Sequence, residues 1–156
     1  MNSDVFGHSA SGFTAYFFNG RTGFTSPTWI GLPAVNIGDD SAVAVWLIEN
    51  GLPHDTSLQA DPNGDGVNLL MAYALKLDPR LNLGGSMPGP ELVADQMRLT
   101  FFAGNSDITY RVESSTDVRS WGTEGFTLSS PDDNCRRTAT VLITSSSCFM
   151  RVVVEH

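Results

Sequence analysis

The chain has 156 residues, a mass of 16.8 kDa, 17 acidic against nine basic side chains, a formal charge of −8 and an isoelectric point near 4.6. That length suits one domain or two small units sharing a core, and can bury roughly 68–70% of the unfolded surface without disulfides. The acid excess argues against duplex nucleic acid, whose affinity rests on neutralised phosphates, and no run approaches the ~20 apolar residues of a membrane span.

The N-terminal stretch MNSDVFGHSASGF carries neither a basic leader nor an apolar h-region, so no signal peptide is expected there. A cytosolic chain and the mature part of an exported one both fit that reading. Residues 1–38 are rich in glycine and aromatics and predict a β-hairpin segment. Phe13 to Phe18 forms one arm, Asn19-Gly20 supplies the positive φ angles of a type I′ turn, and Arg21 to Thr25 returns. Within it, Gly7-His8-Ser9-Ala10-Ser11 resembles a nucleophile elbow only superficially. The second glycine is missing and just Asp4-Val5-Phe6 precedes it where a full strand is needed.

Residues 39–80 read as a two-helix unit with a calcium-type loop. Asp39-Asp40-Ser41 offers a cap for an apolar helix from Ala42 to Glu49, which Gly51, Leu52 and Pro53 terminate. Being apolar all round, this helix is expected to be buried, with Trp46 in the core. A second apolar helix runs from about Asn68 to Leu77, stops at Asp78-Pro79, and is expected to pack on the first. Residues 82–90, rich in Gly and Pro, form a linker by composition.

From 91 to 156 the period changes to two, predicting a five-stranded antiparallel β-sandwich. Its strands are centred on Leu99, Tyr110, Phe126-Thr127-Leu128, Val141 and Val152. The last two long strands are read as a hairpin around Thr144–Ser147. That puts Cys135 and Cys148 near opposite ends, too far apart for a disulfide, so both thiols are expected to be free.

The most informative run is Asp61-Pro62-Asn63-Gly64-Asp65-Gly66-Val67-Asn68. Calcium takes six to eight oxygens, and alternate loop residues direct Asp61, Asn63 and Asp65 at one centre. The glycine in sixth place turns the backbone so that Val67 offers a carbonyl. Counting from Asp61, position twelve is Ala72, so the bidentate glutamate of an EF-hand is lacking. Asp78 lies roughly 15 Å away along the second helix. Glu49, Asp55, Gln59 or Asn68 would complete the shell if residues 52–60 double back. A simpler reading makes the run a turn, with Asp65 capping the second helix.

The other candidates carry less. His54 beside Asp55 is a possible acid–base pair, but the other histidines, His8 and His156, lie near the ends. A lone loop histidine is read as a surface or packing residue, and no catalytic constellation is apparent. Trp29 and Trp121 are candidates for a sugar-binding platform, with packing roles as the simpler alternative.

The segment from Asp61 through Tyr73 to Leu77-Asp78-Pro79 resembles the calcium-loop-plus-helix region near the C-termini of large secreted bacterial proteins. So do Trp46-Leu47 and Gly51-Leu52-Pro53 before it, and Tyr110-Arg-Val-Glu-Ser-Ser-Thr-Asp117 with Trp121 after it. The likeness spans roughly residues 28–156; the loop alone is also similar to dockerin and thrombospondin type 3 loops. The resemblance implies Ca²⁺ ligands at Asp61, Asn63 and Asp65, with Asn68 as a fourth. It also implies an extracellular or cell-surface setting.

The expectation is therefore a mainly β chain with two short helices (α+β), an antiparallel β-sandwich plus a calcium-loop/helix unit. Its task would be that of a non-catalytic structural or adhesive accessory module, with a cell-surface glycan or a parent catalytic domain as partner. A carbohydrate-binding module using Trp29 or Trp121 is the first alternative, and a small hydrolase using Ser9 or His54 the second.

Overall fold

A computed structural model describes residues 12–156, and the chain divides between Thr56 and Ser57 into two units. Over the described residues it is mainly β with two helices, as expected. The helices anticipated as one unit over residues 39–80 fall on either side of that division.

In the first unit, β1 (Ala15–Phe17), β2 (Thr28–Trp29) and β3 (Leu32–Asn36) form a sheet in the order β1-β3-β2. The expected hairpin does not form. Gly20 does turn the chain with a φ of 76°, but β1 pairs in parallel with β3, Ala15 opposite Ala34 and Phe17 opposite Asn36. Apolar stacking explains the change. Phe24 stacks on Phe17 with ring centres 5.3 Å apart and meets Trp29 at 4.6 Å, so residues 21–25 coil over the sheet instead of extending beside it. The Gly7–Ser11 segment lies outside the described residues.

Helix α1 (Ala42–Glu49) starts where its cap predicts, with the Ser41 hydroxyl accepting from the Ala44 amide at 3.3 Å. It ends in a Schellman motif: the Leu52 amide reaches the Leu47 carbonyl and the Gly51 amide the Ile48 carbonyl, both at 2.9 Å. Gly51 holds the required left-handed conformation at a φ of 76°. Only one face is buried, that of Val43, Ala44 and Leu47. Ala42 and Val45 are exposed and Trp46 is half-buried, so the all-round burial expected from composition does not occur.

In the second unit, α2 (Leu69–Ala74) is capped by Asn68, whose side-chain oxygen accepts from the Met71 amide at 3.0 Å. It ends at Leu75, two residues before the apolar pattern does. Lys76 stands in the left-handed region at a φ of 56°, and the Leu77 amide closes a second Schellman turn on the Ala72 carbonyl. No glycine marks this stop, so the sequence pattern overran it.

The strands of this unit are β4 (Glu91–Val93), β5 (Gln96–Phe102), β6 (Thr109–Ser115), β7 (Phe126–Leu128), β8 (Arg136–Leu142) and β9 (Phe149–Glu155). They form two antiparallel sheets, ordered β4-β5-β8-β7 and β6-β9. Leu99, Phe101 and Ala139 of the first sheet share a core with Val112 and Met150 of the second, and with Leu75 from the end of α2. This is the expected sandwich, with the helix end built into it. Strand β4 is additional, a short edge too brief for a period to register.

The expected hairpin of the last two long strands is also corrected. β8 is flanked by β5 and β7, while β9 pairs with β6 from Thr109–Glu155 to Ser115–Phe149. The Thr144–Ser147 segment therefore crosses between sheets. Cys135 and Cys148 are both free thiols. The 82–90 stretch is more than a linker, because Leu83 is only 3% exposed.

Candidate metal loop

Asp61 organises the loop from its first position. Its Oδ1 accepts from the amides of Gly64 (2.9 Å) and Asp65 (3.3 Å), and its Oδ2 from Gly66 at 2.8 Å. Gly64 and Gly66 carry positive φ angles of 70° and 88°, which wrap the backbone around that carboxylate at no side-chain cost. Asp65 Oδ1 accepts from the Val67 amide at 2.8 Å and Oδ2 from the Leu83 amide at 2.6 Å. The Leu83 hydrogen bond is the main cause holding the Asp65 carboxyl below its ordinary value, with Val67 and Asn63 adding to it against desolvation.

Asn63 sits between them. Its Oδ1 accepts from the Asp65 amide at 3.2 Å. Its NH₂ group donates to three oxygens: Asp65 Oδ2 at 3.1 Å, the Pro79 carbonyl at 3.2 Å and the Leu81 carbonyl at 2.8 Å. The chain after α2 thus returns to cover the loop. The approach is close, since a Cβ on Gly84 would come 3.3 Å from the Asp65 carbonyl oxygen.

This return is what the sequence reading missed. A helix running straight to Leu77 puts Asp78 roughly 15 Å off and gives no hint that the chain after it comes back. The short helix and the turn at Lys76 bring Pro79 and Leu81 back. The only cue in the sequence was Pro79 itself, which forbids continued helix. Asp78 does not face the loop: it pairs with Arg80 at 2.7 Å, and the hydrogen bonds from that guanidinium lower its pKa to about 2.

The remaining predicted ligands are placed as follows. Val67 lies at the loop exit, its amide bound to Asp65. Asn68 spends its oxygen on the α2 cap and donates its NH₂ to Gln59 Oε1 at 3.2 Å. The cap is therefore Asn68, not Asp65 as the turn-and-cap reading had it. Residues 58–60 do run beside the loop, the Leu69 amide meeting the Ala60 carbonyl at 2.9 Å and the Leu70 amide the Leu58 carbonyl at 2.7 Å.

The donor set is all oxygen, which suits a hard cation. It is also short of charge. Among the described residues no three His, Cys, Asp or Glu side chains gather around one point. Two carboxylates balance one divalent ion, and amide and backbone oxygens would have to fill the remaining positions.

The aromatic candidates are engaged in packing. The Trp121 ring is covered by the Arg151 guanidinium 4.0 Å from its centre, and its Nε1 donates to the Val118 carbonyl at 3.1 Å. Trp29 meets Phe24 and donates from Nε1 to the Gly23 carbonyl at 2.6 Å. His54 and Asp55 line a groove of about 480 Å³ with Tyr16, Val35 and Ile48. Among the described residues no hydrogen bond joins the two. Ser9 lies outside those residues.

No family model, no curated protein and no solved structure matches this chain. Among the described residues no helix is long and apolar enough to cross a membrane.

Proposed function

We propose that this chain is a non-catalytic, calcium-stabilised structural or adhesive module of an exported protein. Asp61 and Asp65 supply the charge for one Ca²⁺, and Asn63 the amide oxygen. Backbone carbonyls complete the shell: Val67, as the loop spacing suggests, with Pro79 and Leu81. The observation that carries this reading is the set of three oxygens, from Asp65, Pro79 and Leu81, gathered on the Asn63 NH₂ group. An NH₂ group meets such a set with its partial positive charge. A half-turn of the amide would give up the bond from the Asp65 amide to Asn63 Oδ1 and bring four oxygens together, an arrangement that a cation would stabilise.

The extracellular setting, and a cell-surface glycan or a parent catalytic domain as partner, rest on the resemblance to secreted bacterial proteins. In the loop itself the ion would act as a clasp, tying the entry of α2 to the segment after it. Low ligand charge sets the expected dissociation constant at ~10⁻⁴–10⁻³ M.

Isothermal titration of the chelator-treated protein with CaCl₂ tests the proposal. One site is expected, lost in Asp61→Ala/Asp65→Ala and much weaker for Mg²⁺, whose octahedron demands shorter, more regular contacts. Absence of binding at millimolar calcium, or equal binding by the double variant, would refute it.

A further inference from the structure

Lys76 is the only lysine in the chain, and its backbone is held at a φ of 56°. This is the residue after a helix cap, a position that favours glycine because an L side chain is strained there. Gly51 fills it at α1. Ile30, Ala94, Val118 and Cys135 also stand at positive φ, so the backbone at Lys76 draws attention to a site only through what its side chain lines.

The Lys76 side chain lines a groove of about 590 Å³ between the end of α2 and the start of β8. Leu75, Leu77 and Phe102 form its apolar side, and Lys76, Arg136, Asp132 and Asn134 its polar side. The Lys76 ammonium stands 5.6 Å from the centre of the Phe102 ring. That ring is held from behind: a Cβ on Gly104 would come 2.5 Å from its Cζ atom. A neighbouring hollow of about 220 Å³ shares Leu75, Leu77, Phe102 and Arg136 and runs on along Pro88.

The groove carries a net positive charge in an acidic chain. Acidic residues outnumber basic ones 17 to nine in the chain, yet among the described residues neither Lys76 nor Arg136 forms an ion pair. Asp132 is turned onto the backbone, its Oδ1 accepting from the amides of Asn134 at 2.9 Å and Arg136 at 2.7 Å. Two cations and one carboxylate leave a single positive charge beside an aromatic face.

We propose that this groove binds a small monocarboxylate with an apolar or aromatic body. The carboxylate lies between Lys76 and Arg136, and the body rests on Phe102, Leu75 and Leu77. The volume is within the ~300–1,000 Å³ of small-molecule sites, and charge-assisted hydrogen bonds to ammonium and guanidinium are the strong ones. None of the groove residues belongs to the metal loop, so the two proposals stand or fall separately.

Phenylacetate titration followed by backbone amide NMR is the test, with 2-phenylethanol and galacturonate as controls. Phenylacetate is expected to shift the Lys76, Phe102 and Arg136 amides saturably at millimolar concentration. 2-Phenylethanol lacks the charge and galacturonate the apolar body, so both should bind about tenfold more weakly or not at all. Lys76→Gly and Arg136→Gln should each weaken phenylacetate about tenfold. The glycine variant suits the backbone there, so its unfolding midpoint should not drop and misfolding cannot account for its loss. Unchanged binding in both variants, no saturable shift at these amides, or a control binding as tightly as phenylacetate would each overturn the proposal.

Discussion

Gly51 and Lys76 occupy the same place after the two helices, at φ angles of 76° and 56°. A left-handed L-residue costs about 1–2 kcal/mol that glycine does not. Lys76→Gly is therefore expected to stabilise the fold by roughly 1 kcal/mol, after deducting the extra chain entropy glycine has when unfolded. Gly51→Ala should destabilise it by about 1 kcal/mol or more. Urea unfolding of both variants measures the pair. Stabilisation by Lys76→Gly alongside weakened carboxylate binding would mean that the lysine side chain serves binding at a cost in stability.

The short α2 depends on its ends more than on its length. Six residues make fewer than two turns, too few to form a helix alone in water. Asn68 caps it and also holds Gln59, while Leu69 to Leu75 supply its buried face. Tyr73 anchors it further, donating to Asp107 Oδ2 at 2.8 Å; desolvation, with Asp107 beside it, pushes its phenol well above the ordinary value. Asn68→Ala should cost about 1 kcal/mol by the loss of the cap alone. Because Asn68 leads the loop into the helix, the same change should weaken calcium binding, measured by repeating the titration.

Both cap residues were legible in the sequence in different degrees. Asp39, Asp40 and Ser41 all precede the apolar run and Gly51 closes it, so α1 is readable at both ends, though not which of the three caps it. In the second helix Asn68 reads both as the helix start and as a metal ligand, and Lys76 carries no stop signal. The long strands were readable from their period of two, since one face of each meets the shared core. Pairing was not: alternation says which side is buried, not which strand lies alongside. That is why the β1–β3 parallel pair and the separation of β8 from β9 came only from the structure.

At the scale of the molecule, acid should unfold the chain through its carboxylates. Asp65, Asp78, Glu113 and Asp117 all have pKa values lowered in the fold. The causes are hydrogen bonds from the Leu83 amide, the Arg80 side chain, the Arg151 side chain, and the Ser120 and Arg119 amides, respectively. Depressed acids add stability in full above their unfolded values, 3.8 for Asp and 4.5 for Glu. That contribution is lost as pH falls through the folded values, down to about 2 for Asp78. The urea midpoint should therefore be level above about pH 5 and decline steadily below pH 4. A midpoint that rises on acidification would contradict this, and would point to repulsion among the 17 acidic groups as the dominant effect.

Whether the loop holds an ion is the claim on which the account turns. Thermal unfolding in EDTA against millimolar calcium, on the native chain and on Asp61→Ala/Asp65→Ala, tests it most directly. A ligand that binds only the folded state stabilises by RT ln(1 + [L]/Kd), about 1.4 kcal/mol at ten times Kd. For this size of chain that is a shift of a few degrees. The account predicts a calcium-dependent rise in the native chain that the double variant lacks. No rise in the native chain, or an equal rise in both, would reduce the Asp61–Asn68 run to a hydrogen-bonded turn ahead of α2.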